Sequence, residues 1–487
     1  MMFNAFTGYR KSSKAHIQRN STPDKEIILI ITKPHHTVHT AGGLFGRSSG
    51  AYKRNARRTL SFAMVAACET MPCRLSARES GSFAYETVHD RMPVIIAQTI
   101  SEFYAGTVTT ASEDSHEILG GLSRLKYEVE HNKSLRNLYD VDVDAMLWNN
   151  QLEGLTDPET GQRQGWFDSP WLVCECYMYR RIRELFFKSN QFRDHDWFCL
   201  RKEKAFYEAK DIVSQRLSFL ASLQSTPSQE VFCSFLYLSL WGNRTDLSAN
   251  ALKEKQVSSQ SLASHEEICE QAKNVLVDDA HLLWNFLSTK RPLRRLDVVL
   301  DNAGLEFVSD LALADWLLRA ELVQKVVFHV KRFPWFVSDV TPRDFEWTLQ
   351  VRDESLGPAW VALCERFNDY CQRGSVQVMS DPFWTTAFDY ASMERVAPDL
   401  YHSLSTAELL IFKGDLNYRK LLGDRKWAMT TPFGSAIRSF TPTSFVSLRT
   451  LKADILAGVA AETELPKESD WMVSGHYAVI QMYSHDK

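Results

Sequence analysis

The sequence predicts an α/β protein: a Rossmann-like, mainly parallel sheet with flanking helices, joined to an N-terminal helical domain. Three observations predict it. Short apolar runs rich in β-branched residues alternate with helical patterns through the C-terminal half. One stretch, residues 294–318 (RRLDVVLDNAGLEFVSDLALADWLL), reads as strand, sharp turn and helix in immediate succession. Residues 80–245 carry apolar side chains at i, i+3 and i+4 and read as mostly helical.

Taken in order, residues 1–78 are basic and rich in Ser, Thr and Gly, with one β-like run at 26–32. They hold 13 Lys/Arg against 3 Asp/Glu, a net of about +10, so the remainder is acidic. Three readings compete here: a disordered extension, a mitochondrial transit peptide, and a start codon set too early. Disorder or an early start is favoured over import. His35, His36 and His39 are read as loop histidines. Residues 79–248 form the helical domain, with helices expected over 88–103, 116–132, 170–187 and 205–223, and a further apolar helix ending at Trp241-Gly242. Glu175, Arg180 and Arg181 are read as a solvated helix face. Asn243, Arg244 and Asp246 follow the last helix, where a cap meets the sheet. Residues 249–275 are the best linker or surface loop. The α/β domain is 276–487: a helix at 277–289, strands at 296–300, 325–330, 375–379, 408–412 and 445–448, helices at 346–353 and 360–373, and a last, antiparallel edge strand at 477–483.

At 487 residues, 44% hydrophobic and 24% charged, the composition is that of an ordinary soluble globular protein. The net charge of −4 argues against bulk nucleic-acid binding. Nine cysteines without zinc-finger spacing point to reduced thiols in an intracellular compartment. An uncharged apolar window of roughly 18 residues is missing, so no membrane-spanning helix is expected.

The chemistry gathers at strand ends. Asp301 and Asn302 close the strand of residues 296–300, and Asp339 follows the apolar run after 325–331. Asp415 follows LLIFKG at 409–414. Neighbouring βα units place all four on one sheet edge, where open α/β sheets bind ligands. Asp301 and Asn302 offer hard oxygen donors suited to a divalent cation. Turn chemistry is the competing account of Asp-Asn-Ala-Gly.

DNAGLEFVSDLALAD, PWFVSD, FKGDLNYRKLLGDRKW and the Arg449-Thr450-Leu451-Lys452 motif resemble the metal-dependent damage-control phosphatases, in the branch bearing Arg-Thr-x-Lys. Its members are also called acidic residue or protein-glutamate methyltransferases. GSFAYETVHDRMP, WFDSPWLVCECYMYRRI and SLWGNRTDLS resemble the same branch, so the likeness runs from about residue 80 to the end. It implies that Asp301, Asn302 and Asp339 hold Mn²⁺, Ni²⁺, Co²⁺ or Mg²⁺. It also implies that these three, with Asp415, Leu416, Asn417, Tyr418, Arg419 and Lys452, meet the substrate. Asp301, Asn302 and Asp415 are the catalytic candidates. Asp415 would accept a sugar hydroxyl or act as general base; water and an Asp carboxylate both stay open as nucleophile.

Lys452, Arg419 and Lys413 are the cations available for phosphate, whereas Lys420, Arg425 and Lys426 read as a solvated face. The function expected is a metal-dependent phosphatase acting on small sugar phosphates, fructose 1-phosphate-like and related metabolites. The alternative is S-adenosylmethionine-dependent methylation of protein carboxylates, weakened by a first loop with the single glycine Gly304. A non-catalytic scaffold is the third reading. Neither nucleic acid nor membrane is an expected partner, and a cytoplasmic, also nuclear, location is favoured.

Overall fold

The computed structural model describes residues 71–109, 112–223, 226–242 and 265–485. The run at 26–32, the histidines at 35, 36 and 39, and Asn243, Arg244 and Asp246 lie outside the described residues, as does 249–264.

Seven strands form one sheet: β1 (Val275–Asp278), β2 (Leu296–Val299), β3 (Val326–Val330), β4 (Val376–Ser380), β5 (Leu409–Lys413), β6 (Phe445–Thr450) and β7 (Ala478–Tyr483). Their order is β1-β7-β6-β5-β2-β3-β4. Every pairing is parallel except β6 with β7. From β2 the chain steps outward to β3 and β4, then returns to lay β5 on the other side of β2. The switch point of the sheet is therefore between β2 and β5, and parallel sheets bind ligands outside the carboxyl ends of such a pair.

Residues along each strand alternate between two apolar cores, as a period of two requires. Val299, Phe412 and Phe445 face one core; Val298, Ile411 and Val446 face the other. The first core takes in the helices Met92–Thr107, Glu113–Glu130 and Trp171–Lys188. The second takes in Lys210–Ser222, Gln229–Gly242, Leu305–Arg319 and Gly357–Arg373. The result is three layers, with helices on both faces of the sheet.

The expected strands at 296–300, 325–330, 375–379, 408–412 and 445–448 match β2 to β6 within a residue or two. Three of the expected elements are corrected. β7 is antiparallel, but it lies inside the sheet, because β1 pairs along its other side. β1 itself is four residues within a stretch read as linker and helix start, too short for a periodicity to register. The helix expected over 205–223 is two, Cys199–Glu208 and Lys210–Ser222, parted at Ala209 (φ −91°, ψ 1°). The helix Met92–Thr107 is preceded by a five-residue π-helical turn, Thr87–Arg91.

Charge patterns misled most on Trp171–Lys188. Glu175, Arg180 and Arg181 are buried, not a solvated face. Each is ion-paired: Arg180 with Asp140 (2.6 Å) and Asp144 (2.9 Å), Arg181 with Glu128 (2.8 Å), Glu175 with Arg419 (2.6 Å). Buried charges persist where partners satisfy them.

Candidate active site

Three loops at the carboxyl edge of the sheet build the site. The first is Asp301–Gly304 after β2. Gly304 takes φ +78°, a conformation open to glycine, and starts the helix Leu305–Arg319. The second, after β3, is pinned to the first by main-chain bonds: Ala303 N–H to the Ser338 carbonyl (2.7 Å) and Val340 N–H to the Asp301 carbonyl (2.8 Å). Within it Phe336 and Val337 hold φ of 44° and 67°. Left-handed backbone at a bulky and a β-branched residue is strained and persists only where its surroundings over-determine it. That conformation sets Asp339 beside Asn302, across an isolated antiparallel bridge. The third loop is the β5–helix junction. Gly414 adopts φ +81°, and a Cβ there would lie 1.8 Å from Asp301 Oδ2, so the main chain approaches that carboxylate as no other residue allows.

A small cleft of about 40 Å³ opens at these loops. Asp301, Asp339, Asp415, Leu416, Arg419 and Lys452 line it, with Phe83, Arg91, Trp171, Glu175 and Phe336. Asp301 and Asp339 are 5% and 1% exposed. Lys331 Nζ sits 2.9 Å from Asp339 Oδ2 and donates to the Leu300 carbonyl at 2.9 Å. The Tyr390 phenol is pushed well up by burial and by the charges of Asp301 and Asp339, which marks the negative field at this end of the sheet. Asp415 Oδ1 accepts from Arg449 Nε (2.7 Å) and the Lys452 amide (3.3 Å). Arg449 is fully buried, stacks over Tyr418 (4.2 Å) and also donates to the carbonyls of Ala453 and Ile455. The Arg-Thr-x-Lys motif thus works as a unit: its arginine orients Asp415 and folds the loop that carries Lys452 to the cleft.

Other expected site residues fall elsewhere. Asn302 lies beside the cleft, with Nδ2 donating to Asp301 Oδ2 and to Glu306 Oε2, both at 2.8 Å. Asn417 is buried beneath the strands, where it donates to the Lys413 carbonyl (2.7 Å) and accepts from the Tyr390 hydroxyl. Tyr418 is fully buried and donates to Gln481 Oε1 (2.8 Å). Lys413 is not a phosphate group either: its ammonium is buried against Ser239, Asp310 and Glu306. Arg419 reaches the cleft, but its charge is taken up by Glu175 (2.6 Å) and Asp424 (2.8 Å), over the Trp171 ring at 3.4 Å. Lys420 is buried, contrary to the solvated-face reading, and Arg425 is half-buried on the Pro72 carbonyl; Lys426 is exposed beside Glu79. Sequence reasoning gave no role to Arg91, Phe83, Trp171, Phe336 or Lys331. The signal for Arg91 was its place in VHDR, now a π-helical turn, a feature common at functional sites.

The described residues contain no cluster of three His, Cys, Asp or Glu suited to a metal ion. Asp301 and Asp339, with the neighbouring Asn302 amide, are the residues that would hold a divalent cation here. The donor set is all hard oxygen on two nearly buried carboxylates, which fits a divalent ion of the magnesium–manganese kind.

The match to known proteins runs along nearly the whole described chain. A family model for the damage-control phosphatase ARMT1-like domain matches residues 87–465. The chain belongs to the ARMT1-like damage-control phosphatase family. Curated relatives named damage-control phosphatase ARMT1 include the Danio rerio protein, 37% identical over 439 residues, covering 85% of this chain and 97% of the relative. The Mus musculus protein is 37% identical over 441 residues (84% and 98%), and the Homo sapiens protein 36% over 438 (84% and 98%). Membership in the damage-control phosphatase family makes the enzyme a phosphoric monoester hydrolase. Among the described residues, no helix is long and apolar enough to cross a membrane.

Proposed function

We propose that the cleft hydrolyses small sugar phosphates, fructose 1-phosphate-like and related phosphometabolites, with Asp301, Asn302 and Asp339 holding a divalent cation, Mn²⁺ or Ni²⁺ first and Co²⁺ or Mg²⁺ next. The observation that carries this reading is convergence. Carboxylates from three adjacent strand ends share one cleft with Arg91 and Lys452, at the switch point of a parallel sheet. When bound, the ion would supply Lewis-acid polarisation of the phosphoryl oxygens.

The chain's own groups do the rest. Lys452 and Arg91 supply positive charge for phosphate oxygens at the cleft. Asp415, held by Arg449 through Oδ1, offers Oδ2 to a sugar hydroxyl or to the proton of the attacking oxygen. Phe83, Trp171 and Phe336 wall the cleft with aromatic surface and limit it to small substrates. Methyl transfer to protein carboxylates is the weaker reading: the family and the relatives are described as phosphatases, and the loop after β2 carries one glycine. The substrate class favours a cytoplasmic, also nuclear, setting and no nucleic-acid or membrane partner.

Phosphate release from a panel of sugar phosphates, with each metal in turn, tests the reading. Metal-dependent release is expected, and Asp339→Ala should lower turnover by about 10³-fold or more while keeping its melting curve. Equal turnover in wild type and variant would overturn it.

A further inference from the structure

We infer that Glu306, held in place by Lys413, is a positioning residue for the cation site: it fixes which end of the Asn302 amide is presented there. The inference rests on the reading of Asp301, Asn302 and Asp339 as ligands.

Glu306 lies in the first turn of the helix Leu305–Arg319 and is fully buried. Its Oε2 accepts from Asn302 Nδ2 at 2.8 Å. Its Oε1 is 3.0 Å from Lys413 Nζ. Lys413 ends β5 at 1% exposure, and its ammonium also donates to the Ser239 carbonyl (2.7 Å), the Ser239 hydroxyl (2.8 Å) and Asp310 Oδ1 (2.7 Å). An ammonium has three protons, so this one is spent on the network and has none for a substrate. At its other end the Asn302 amide accepts from the Ser338 hydroxyl through Oδ1.

A primary amide has one donating and one accepting end. The carboxylates of Glu306 and Asp301 can only accept, so they admit a single orientation, with Nδ2 towards them and Oδ1 turned towards Ser338 on the loop that carries Asp339. The backbone beneath Glu306 is fixed too: a Cβ on Gly242 would sit 2.7 Å from Glu306 Cα, so the helix Gln229–Gly242 ends hard against it. A buried lysine–carboxylate cluster contributes little net stability against an apolar replacement. Orienting a ligand explains its presence better than stability does, as outer partners do at metal sites generally.

Glu306→Gln tests this, because it keeps the shape and replaces one acceptor with N–H₂. Whichever way that amide turns, a donor faces either Asn302 Nδ2 or Lys413 Nζ, and Asn302 relieves the conflict by rotating. Mn²⁺ is titrated calorimetrically into the full-length chain and its variants, with thermal melts alongside. Wild type binds and Asp339→Ala does not. Glu306→Gln weakens binding about 10–100-fold, and Ser338→Ala, which attacks the same orientation from the other end, does so by at least about tenfold. Asp310→Asn disturbs the same lysine without touching Asn302 and stays within about threefold of wild type. If Glu306→Gln does not fold, Ser338→Ala decides. Wild-type affinity in both Glu306→Gln and Ser338→Ala, with Asp339→Ala still inactive in binding, overturns the inference and leaves the ligand reading standing. Equal weakening by Asp310→Asn overturns it as well, since the network would then act through packing alone. Failure of wild type to bind Mn²⁺ removes both.

Discussion

Lys420 shows how far a charge can sit from the surface. It lies on the helix Gly414–Leu422 at 1% exposure, and its ammonium donates to the carbonyls of Thr386 (3.0 Å) and Phe383 (3.3 Å), over the Phe383 ring at 4.9 Å. Burial pushes its pKa down to about 8. The sign follows from where the protons are. Between pH ~8 and ~10 the folded chain has released this proton and the unfolded chain still holds it, so the lysine's contribution raises stability as pH rises. Between pH 7 and 9.5 the wild type should gain about 2 kcal/mol relative to Lys420→Met. Urea midpoints of both proteins at the two pH values check it; parallel behaviour would show that Lys420 stays charged when folded. Helical spacing could not reveal this environment. The loop that covers Lys420, residues 381–390, is about thirty residues away in sequence.

At the scale of elements, Arg419 joins the helix Gly414–Leu422 to Trp171–Lys188. Its guanidinium bridges Asp424 and Glu175 and lies on Trp171, so one side chain ties the N-terminal helices to the strand-end loops at the cleft. Burial pushes the Glu175 carboxyl up, opposed by Arg419. Arg419→Met would leave Glu175 and Asp424 buried without their cation, at a cost of about 3–5 kcal/mol. Chemical denaturation would report the loss, and a change under about 1 kcal/mol would mean that the pair adds little here. Strand identity was legible at this scale because β2, β3 and β5 are short, mostly apolar runs, as strands buried on both faces tend to be. The pairing of Arg419 with Glu175 was not, since the two are 244 residues apart in sequence.

At the scale of the molecule, the N-terminal helices share a core with one face of the sheet: Val299, Phe412 and Phe445 pack in the same cluster as Ile96, Leu122 and Tyr177. A strap at the start of the described chain adds to this. Leu75 N–H donates to the Asp424 carbonyl (2.9 Å), and the Leu75 carbonyl accepts from Trp171 N–H (2.8 Å). Helical layer and sheet should therefore lose structure together, because neither buries its apolar face alone. Far-UV circular dichroism and tryptophan fluorescence followed through the same urea titration should give one coincident midpoint. Two separated transitions would show that the helical part is stable by itself.

The sequence by itself determined the layered α/β class, the strand ends that carry Asp301, Asp339 and Asp415, and the motif that carries Lys452. Those features are local: a run of apolar residues makes a buried strand, and the residue after it must lie at the strand's end. Tertiary structure alone decided which charges face the cleft and which are consumed inside. Lys413, Arg419 and Lys452 are alike in sequence as cations near acidic motifs, yet Lys413 is consumed by carboxylates inside the fold, Arg419 is paired with Glu175 and Asp424 at the cleft wall, and Lys452 is carried to the cleft by its motif. The reason is physical. A charge takes its role from the partners that surround it, and those partners are brought together by chain crossings that no local pattern encodes.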